Sequence, residues 1–142
     1  IFNTNLFSLL NFTCIVSRLM IRKKRGSIVN ISSSTSFSPD SGTIAYGSSK
    51  AALNYATKVL SKELASQGIR VNAVAPGVTQ TSMLEKMDPN AIDNQLNSSS
   101  LKKIANPSEV ASVVNFLCSD ESSHITGQII RVDGGQLWEI KV

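Results

Sequence analysis

Histidine and cysteine are nearly absent from this chain. His124 is the single histidine, which excludes a metal site built from several imidazoles. Cys14 and Cys118 stand far apart and do not make the disulfide framework of a small secreted domain. Each falls in an apolar helical pattern, so both are expected to be reduced thiols inside the core. No long hydrophobic run is present either. Residues 1–21 are apolar in places, but Asn3, Asn5, Asn11 and Arg18 interrupt them and no basic residue precedes them. Neither a membrane span nor a secretory leader is expected. Charge of neither sign dominates: the net charge is +4, much of it in Arg22-Lys23-Lys24-Arg25. Without interleaved aromatic residues, that cluster argues against a nucleic-acid surface. There is no internal repeat and no Gly-rich G-x-G-x-x-G turn.

What is there is enough for one domain. The chain has 142 residues, 42% hydrophobic and 17% charged, a globular composition. Leu6, Leu9, Leu10, Thr13, Val16, Leu19 and Met20 recur at helical spacing and predict a helix over 5–22 with one buried stripe. Arg22 to Arg25 fall at its carboxyl end, where cations complement the dipole, and Gly26 is the expected cap. The β-branched run Ser27–Ile31 reads as a short buried strand. After a Ser/Thr/Pro/Asp/Gly loop, a second helix is expected over 45–67, burying Leu53, Ala56, Leu60 and Leu64 and stopped by Gly68. A strand follows over 69–75, closed by Pro76-Gly77. Residues 78–105 have little periodicity and read as a long loop with short helical pieces; loops this long are usually lids or binding segments. Asn106-Pro107-Ser108-Glu109 is a helix start, and that helix buries Val110, Val113, Val114 and Leu117. A last strand over 128–132 ends at Asp133-Gly134-Gly135. The alternation predicts an α/β fold with a parallel sheet and helices on both faces.

Chemistry concentrates between Ser27 and Lys50. Tyr46 and Lys50 are four apart on the second helix, hence on one face. Ser33 lies at the carboxyl end of the preceding strand, where open α/β sheets bind ligands. A free phenol titrates near about 10. An ammonium one turn away favours the phenolate and brings that value down. Ser33 would hold a substrate oxygen while Tyr46 gives or takes the proton.

These residues carry a resemblance. Asn30-Ile31-Ser32-Ser33 and Tyr46-Gly47-Ser48-Ser49-Lys50-Ala51-Ala52 are similar to the active-site segment of the short-chain dehydrogenase/reductase family. The similarity continues through Ile69-Arg70-Val71-Asn72-Ala73-Val74-Ala75-Pro76-Gly77 and Ile125-Thr126-Gly127-Gln128, and ends at Asp133-Gly134-Gly135. It covers nearly the whole chain. It implies a Rossmann-like doubly wound sheet, of which three strands with flanking helices, the carboxyl-terminal half, would be present. The Gly-rich turn that binds the cofactor pyrophosphate is then expected upstream of Ile1, and residues 1–142 would be the carboxyl-terminal part of one NAD(P)-binding domain, expected on their own to bind the cofactor weakly or not at all, to be inactive and to aggregate.

The resemblance also implies a site. Asn5, Ser33, Tyr46 and Lys50 match the family's catalytic tetrad: Ser33 fixes the substrate oxygen and Tyr46 is the general acid or base. Lys50 acts on Tyr46 and on the nicotinamide ribose, and Asn5 holds a water that links Lys50 to solvent. Asn5 as a plain helix cap is the alternative. Pro76, Gly77, Val78, Thr79 and Thr81 match the loop under the nicotinamide, with Thr79 where many members have Ile or Val. Thr81 matches a Thr that bonds the carboxamide or phosphate. Tyr46, Lys50, Pro76, Gly77, Thr79 and Thr81 are thus the implied cofactor contacts. The expected cofactor is NADP or NAD, with NADP favoured by the subgroup.

That subgroup comprises the reductases of 3-oxoacyl groups on acyl-carrier protein, similar in Leu117-Cys118-Ser119-Asp120-Glu121. In it a basic residue at the end of the first helix helps dock the carrier; Lys24 lies there, while a second docking position, Gln67, is uncharged. A sugar, steroid or small-alcohol dehydrogenase stays open. So does an inactive relative serving as a subunit or a non-functional gene fragment. The implied setting is a cytoplasmic homo-oligomer, dimer or tetramer, acting on a small or carrier-bound carbonyl, with no nucleic acid, membrane or metal.

Overall fold

The computed structural model describes residues 1–84 and 87–136. A π-helical turn at Asn3–Phe7 runs directly into helix α1, Ser8–Lys23. Arg22 and Lys23 occupy its last turn, as the dipole favours. The stop falls on Lys24 rather than on Gly26. Lys24 is left-handed at φ 47, and its amide returns to the Ile21 carbonyl. Gly26 instead opens strand β1, Gly26–Ile31, where a Cβ would collide with the Met20 sulfur. A short 3-10 turn at Ser34–Ser36 precedes helix α2, Ile44–Ala65. Gly68, at φ 70, then passes so close to the Lys24 carbonyl oxygen that no side chain fits. Strand β2 follows at Ile69–Pro76, helix α3 at Pro89–Ser98, helix α4 at Pro107–Cys118 and strand β3 at Ile129–Val132. The start of α4 is as expected: Asn106 and Glu109 form a reciprocal capping box with Pro107 at the first turn.

The strands form one parallel sheet in the order β1-β2-β3. Ile31 pairs with Val74 and Pro76 with Val132, so the carboxyl ends of all three strands share one edge of the sheet. Strand β2 is the central one, and Val71, Ala73, Val74 and Ala75 are fully buried. Strand β1 is not buried as expected. Among the described residues it pairs on one side only, and Ile31 is 44% exposed. The helices lie on both faces. Asn30 donates to Thr57 Oγ1 on α2, whereas Ser27 donates to the Leu117 carbonyl on α4. Residues an odd number apart on a strand point to opposite faces, so α2 and α4 sandwich the sheet.

Helix α2 meets the sheet through small polar residues. Ser49, Asn54, Thr57 and Ser61 are buried with Leu53, while Leu60 and Leu64 are only half-buried. The hydroxyls of Ser49, Thr57 and Ser61 donate to carbonyls of α2 itself, which makes their burial tolerable. Small residues let the helix approach closely: a Cβ at Gly127 would lie 2.7 Å from Ser61 Oγ. The two cysteines are exposed, against the expectation of core thiols. Cys14 follows the buried Thr13 on α1 and so turns to the outer side, and Cys118 ends α4 just past the buried Leu117.

Buried polar side chains of β2 fasten the segment between α4 and β3. Asn72 Nδ2 donates to the Ile125 carbonyl at 2.9 Å, and its Oδ1 accepts from the Gln128 amide at 3.0 Å. Asn72→Ala would leave both backbone groups unpaired in the interior, an expected cost of about 2–4 kcal/mol. A denaturation midpoint within error of the parent chain would refute this.

The outer surface of α1 carries exposed Phe12, Ile15 and Leu19, beside Phe7 on the π-helical turn. The stretch Asn3–Lys23 is long and apolar enough, by length and composition, to cross a bilayer. In this fold it lies along the sheet, tied to α2 by a bond from Asn5 to Ser49. With that face and the β1 edge uncovered, the isolated chain is expected to self-associate in dilute salt. A monomeric mass by sedimentation across a tenfold concentration series would contradict it.

Candidate active site

The strand ends and the start of α2 build a cleft of about 460 Å³. Its floor follows from the fold. Strand β1 delivers Ser32 and Ser33, β2 delivers Pro76 and Gly77, and the first two turns of α2 project Tyr46 and Lys50 between them. In a parallel βα unit the helix amino terminus faces the carboxyl ends of the strands, which is why a helix pair and a strand-end serine converge.

Ser33 is buried and caps the 3-10 turn: its Oγ accepts from the Thr35 amide at 3.2 Å. Ser36 donates to the Ser33 carbonyl, so the hydroxyl-rich loop is held in one shape by its own side chains. Tyr46 is half-buried on the wall of the cleft. Lys50 is only 9% exposed, and its Nζ donates to the Ile31 carbonyl at 2.8 Å. The same ammonium lies 5.9 Å from the centroid of the Tyr46 ring. Burial penalises its charge and pushes the Lys50 ammonium below the ordinary lysine value.

The opposite wall comes from the loop after β2. Gly77 packs against the strand end of β3: a Cβ there would lie 2.8 Å from the Asp133 Cα, so only glycine fits. Thr79 Oγ1 donates to the Gly77 carbonyl at 3.0 Å, and Thr81 also lines the cleft. Ser33, Tyr46, Lys50, Pro76, Gly77, Val78, Thr79 and Thr81 therefore all border one space. Asn5 does not. It sits in the π-helical turn and donates through Nδ2 to Ser49 Oγ at 3.1 Å, the residue just before Lys50. It is not a helix cap.

Sequence reasoning missed the Ile31 carbonyl that holds Lys50, and the outer wall formed by Met83, Leu84, Met87, Gln95 and Val110. A main-chain acceptor has no signature in a sequence. Apart from Val110 on α4, the outer wall lies on the aperiodic segment, whose only hint was its length. Among the described residues no group of His, Cys, Asp and Glu could hold a metal ion.

A family model described as enoyl-(acyl carrier protein) reductase matches residues 1–136. A solved structure described as a short chain dehydrogenase/reductase family protein superposes with a TM-score of 0.87 at 35% identity, covering 94% of this chain and 55% of that one. The chain belongs to the short-chain dehydrogenase/reductase family. The 3-oxoacyl-[acyl-carrier-protein] reductase FabG of Thermotoga maritima is 45% identical over 135 residues, 95% of this chain and 55% of the relative. A 4-hydroxyisoleucine dehydrogenase complexed with NADH superposes with a TM-score of 0.90 at 30% identity, covering 96% of this chain and 57% of that one. The chain thus spans about half the length of the curated relatives it matches.

Proposed function

We propose that this chain supplies the proton-transfer machinery of an oxidoreductase that interconverts a carbonyl and an alcohol with NAD(P)(H). The observation that carries this reading is the convergence of Ser33, Tyr46 and Lys50 in one cleft at the strand ends. Ser33 Oγ would orient the substrate oxygen, and Tyr46 would give that oxygen a proton on reduction and take it back on oxidation. The Lys50 ammonium would stabilise negative charge developing on the phenolic oxygen. One of its three protons is committed to the Ile31 carbonyl, which leaves two donors for ribose hydroxyls.

The residues fit a nicotinamide nucleotide. A cleft of about 460 Å³ lies within the range of small-molecule sites, and the tight Gly77 approach exposes main chain on one wall. Lys50, Gly77, Thr79 and Thr81 would hold the nucleotide. When bound it supplies the hydride. Asn5 would act through Ser49 as a positioning residue for α2, and the remaining polar atoms of Asn5 would serve the water relay.

The substrate that fits best is a 3-oxoacyl group on a carrier, as the name of the Thermotoga relative suggests, and the reductant proposed for it is NADPH. The apolar outer wall of Met83, Leu84 and Val110 suits an acyl chain, and the basic end of α1 at Arg22 to Arg25 suits an acidic carrier. The exposed face of α1 would join copies of the chain in a cytoplasmic homo-oligomer. A second reading, a subunit without turnover of its own, is favoured by the open edge of β1. One experiment separates them: NADPH and NADH are titrated into the chain, and a 3-oxoacyl thioester is then added. Substrate-dependent loss of reduced-nicotinamide absorbance would support the oxidoreductase reading. Cofactor binding without turnover would support the subunit reading, and neither binding nor turnover would sink both.

A further inference from the structure

Helix α3 is the least anchored element of the fold. It buries no residue, and among the described residues no other helix or strand packs broadly against it. Yet it carries Gln95 on the wall of the Tyr46 cleft, and Gln95 and Leu96 on the wall of a smaller cavity of about 80 Å³ behind it. Something else must fix its place. At its start Asp88 caps its own helix through the Asn90 amide, which gives no tie to the rest of the molecule.

Its carboxyl end is different. Ser99, immediately after α3, is buried, and its Oγ donates to the Gly134 carbonyl at 2.9 Å and reaches the Asp133 carbonyl at 3.3 Å. The Leu101 amide donates to the same Gly134 carbonyl at 2.9 Å. The Ser100 amide and hydroxyl both donate to the Gly135 carbonyl, at 3.2 and 2.9 Å. Ser99 also bridges Gln136 in antiparallel fashion. The turn that receives these bonds is rigid in its own right. Asp133 accepts from the Gly135 amide and pairs with Arg131, which in turn donates to the Gln136 carbonyl. Both glycines have positive φ, and a Cβ on Gly134 would lie 2.6 Å from Ser99 Oγ. The glycines are what allow the two segments to touch.

We propose that this clamp between Ser99–Leu101 and Asp133–Gln136 is a positioning element: it holds α3, and through it Gln95, over the cleft, and so sets substrate affinity without taking part in proton transfer. The role in turnover rests on the oxidoreductase reading above; the mechanical role does not. The Asp133-Gly134-Gly135 turn lies at the end of β3, on the far side of β2 from Ser33; Asp133 abuts Gly77 on the cleft wall, and the Ser99–Leu101 bonds carry its hold on to α3.

The test uses Ser99→Ala, which removes a hydroxyl but no packing volume, the exposed Ser100→Ala, and Gly134→Ala with and without Ser99→Ala. Hydrogen exchange of the α3 amides is expected to accelerate about tenfold in each single variant, the loss of one or two hydrogen bonds, with β2 and α2 unchanged. Ser99→Ala should partly correct Gly134→Ala, because the colliding oxygen is gone. In kinetics KM should rise about tenfold while kcat stays within about twofold. Unaltered α3 exchange in Ser99→Ala and Ser100→Ala would overturn the clamp, as would a fall in kcat at constant KM. If the unmodified chain has no turnover, the exchange data alone decide the clamp and the oxidoreductase reading fails separately.

Discussion

Tyr46→Phe is expected to lower kcat about a thousandfold, in the middle of the range for losing a positioned proton donor. The substitution removes one oxygen. The ring that lies 5.9 Å from Lys50 Nζ stays, and so does its half-buried packing against the cleft. Melting temperature should therefore hold while turnover collapses, a split that a structural defect would not produce. The residual rate would come from orientation of the substrate by Ser33 and the cleft. A kcat within about tenfold of the parent enzyme would remove Tyr46 from the chemistry.

Lys50→Met is expected to act on two quantities together. It keeps the long apolar stem and removes the ammonium, along with the bond to the Ile31 carbonyl. Hydrogen bonds from a charged donor are worth about 1.5–3 kcal/mol, so cofactor affinity should weaken about tenfold or more and the rate should fall by a similar or larger factor. Stability gives an independent readout. Burial lowers the Lys50 pKa in the folded chain, whereas in the unfolded chain it has its ordinary value of 10.5. Between the two values the unfolded chain holds the proton and the folded chain has released it. Folding stability from this group therefore rises with pH across that window, and is lost again as pH falls through the folded value. Lys50→Met should flatten that rise in an alkaline denaturation series. An unchanged pH profile together with unchanged cofactor affinity would make Lys50 a surface-like residue, contrary to its place under Ile31.

Much of the site was written in local pattern. Tyr46 and Lys50 share a face because a helix repeats every 3.6 residues, and Ser33 meets them because a βα unit brings strand end and helix start together. The capping box at Asn106 and Glu109 is likewise local and formed as read. The errors arose where several local solutions were available. The α1 stop could fall on Gly26, but Lys24 took the left-handed position and Gly26 was needed against Met20. Helix α2 offered Leu60 and Leu64 as a buried stripe. The sheet instead took Ser49, Thr57 and Ser61, because small side chains permit a closer approach and bond to their own helix, and Asn54, which bonds to Ser36. Cys14 and Cys118 sit one step off the buried line, a rotation that apolar periodicity does not resolve.

The sequence by itself determined the elements other than α3, which fell in the aperiodic stretch, together with their alternation and the frame of Ser33, Tyr46 and Lys50, since each depends on residues close in the chain. Tertiary structure alone decided three further matters: that the Ile31 carbonyl holds Lys50, that Asn5 reaches α2 through Ser49, and that α3 is tied to the Asp133–Gln136 turn. All three join residues whose meeting depends on how the strands register and how closely the helices approach. The first and the last end on main-chain carbonyls, which leave no residue-type signal, so no pattern in the chain could announce them.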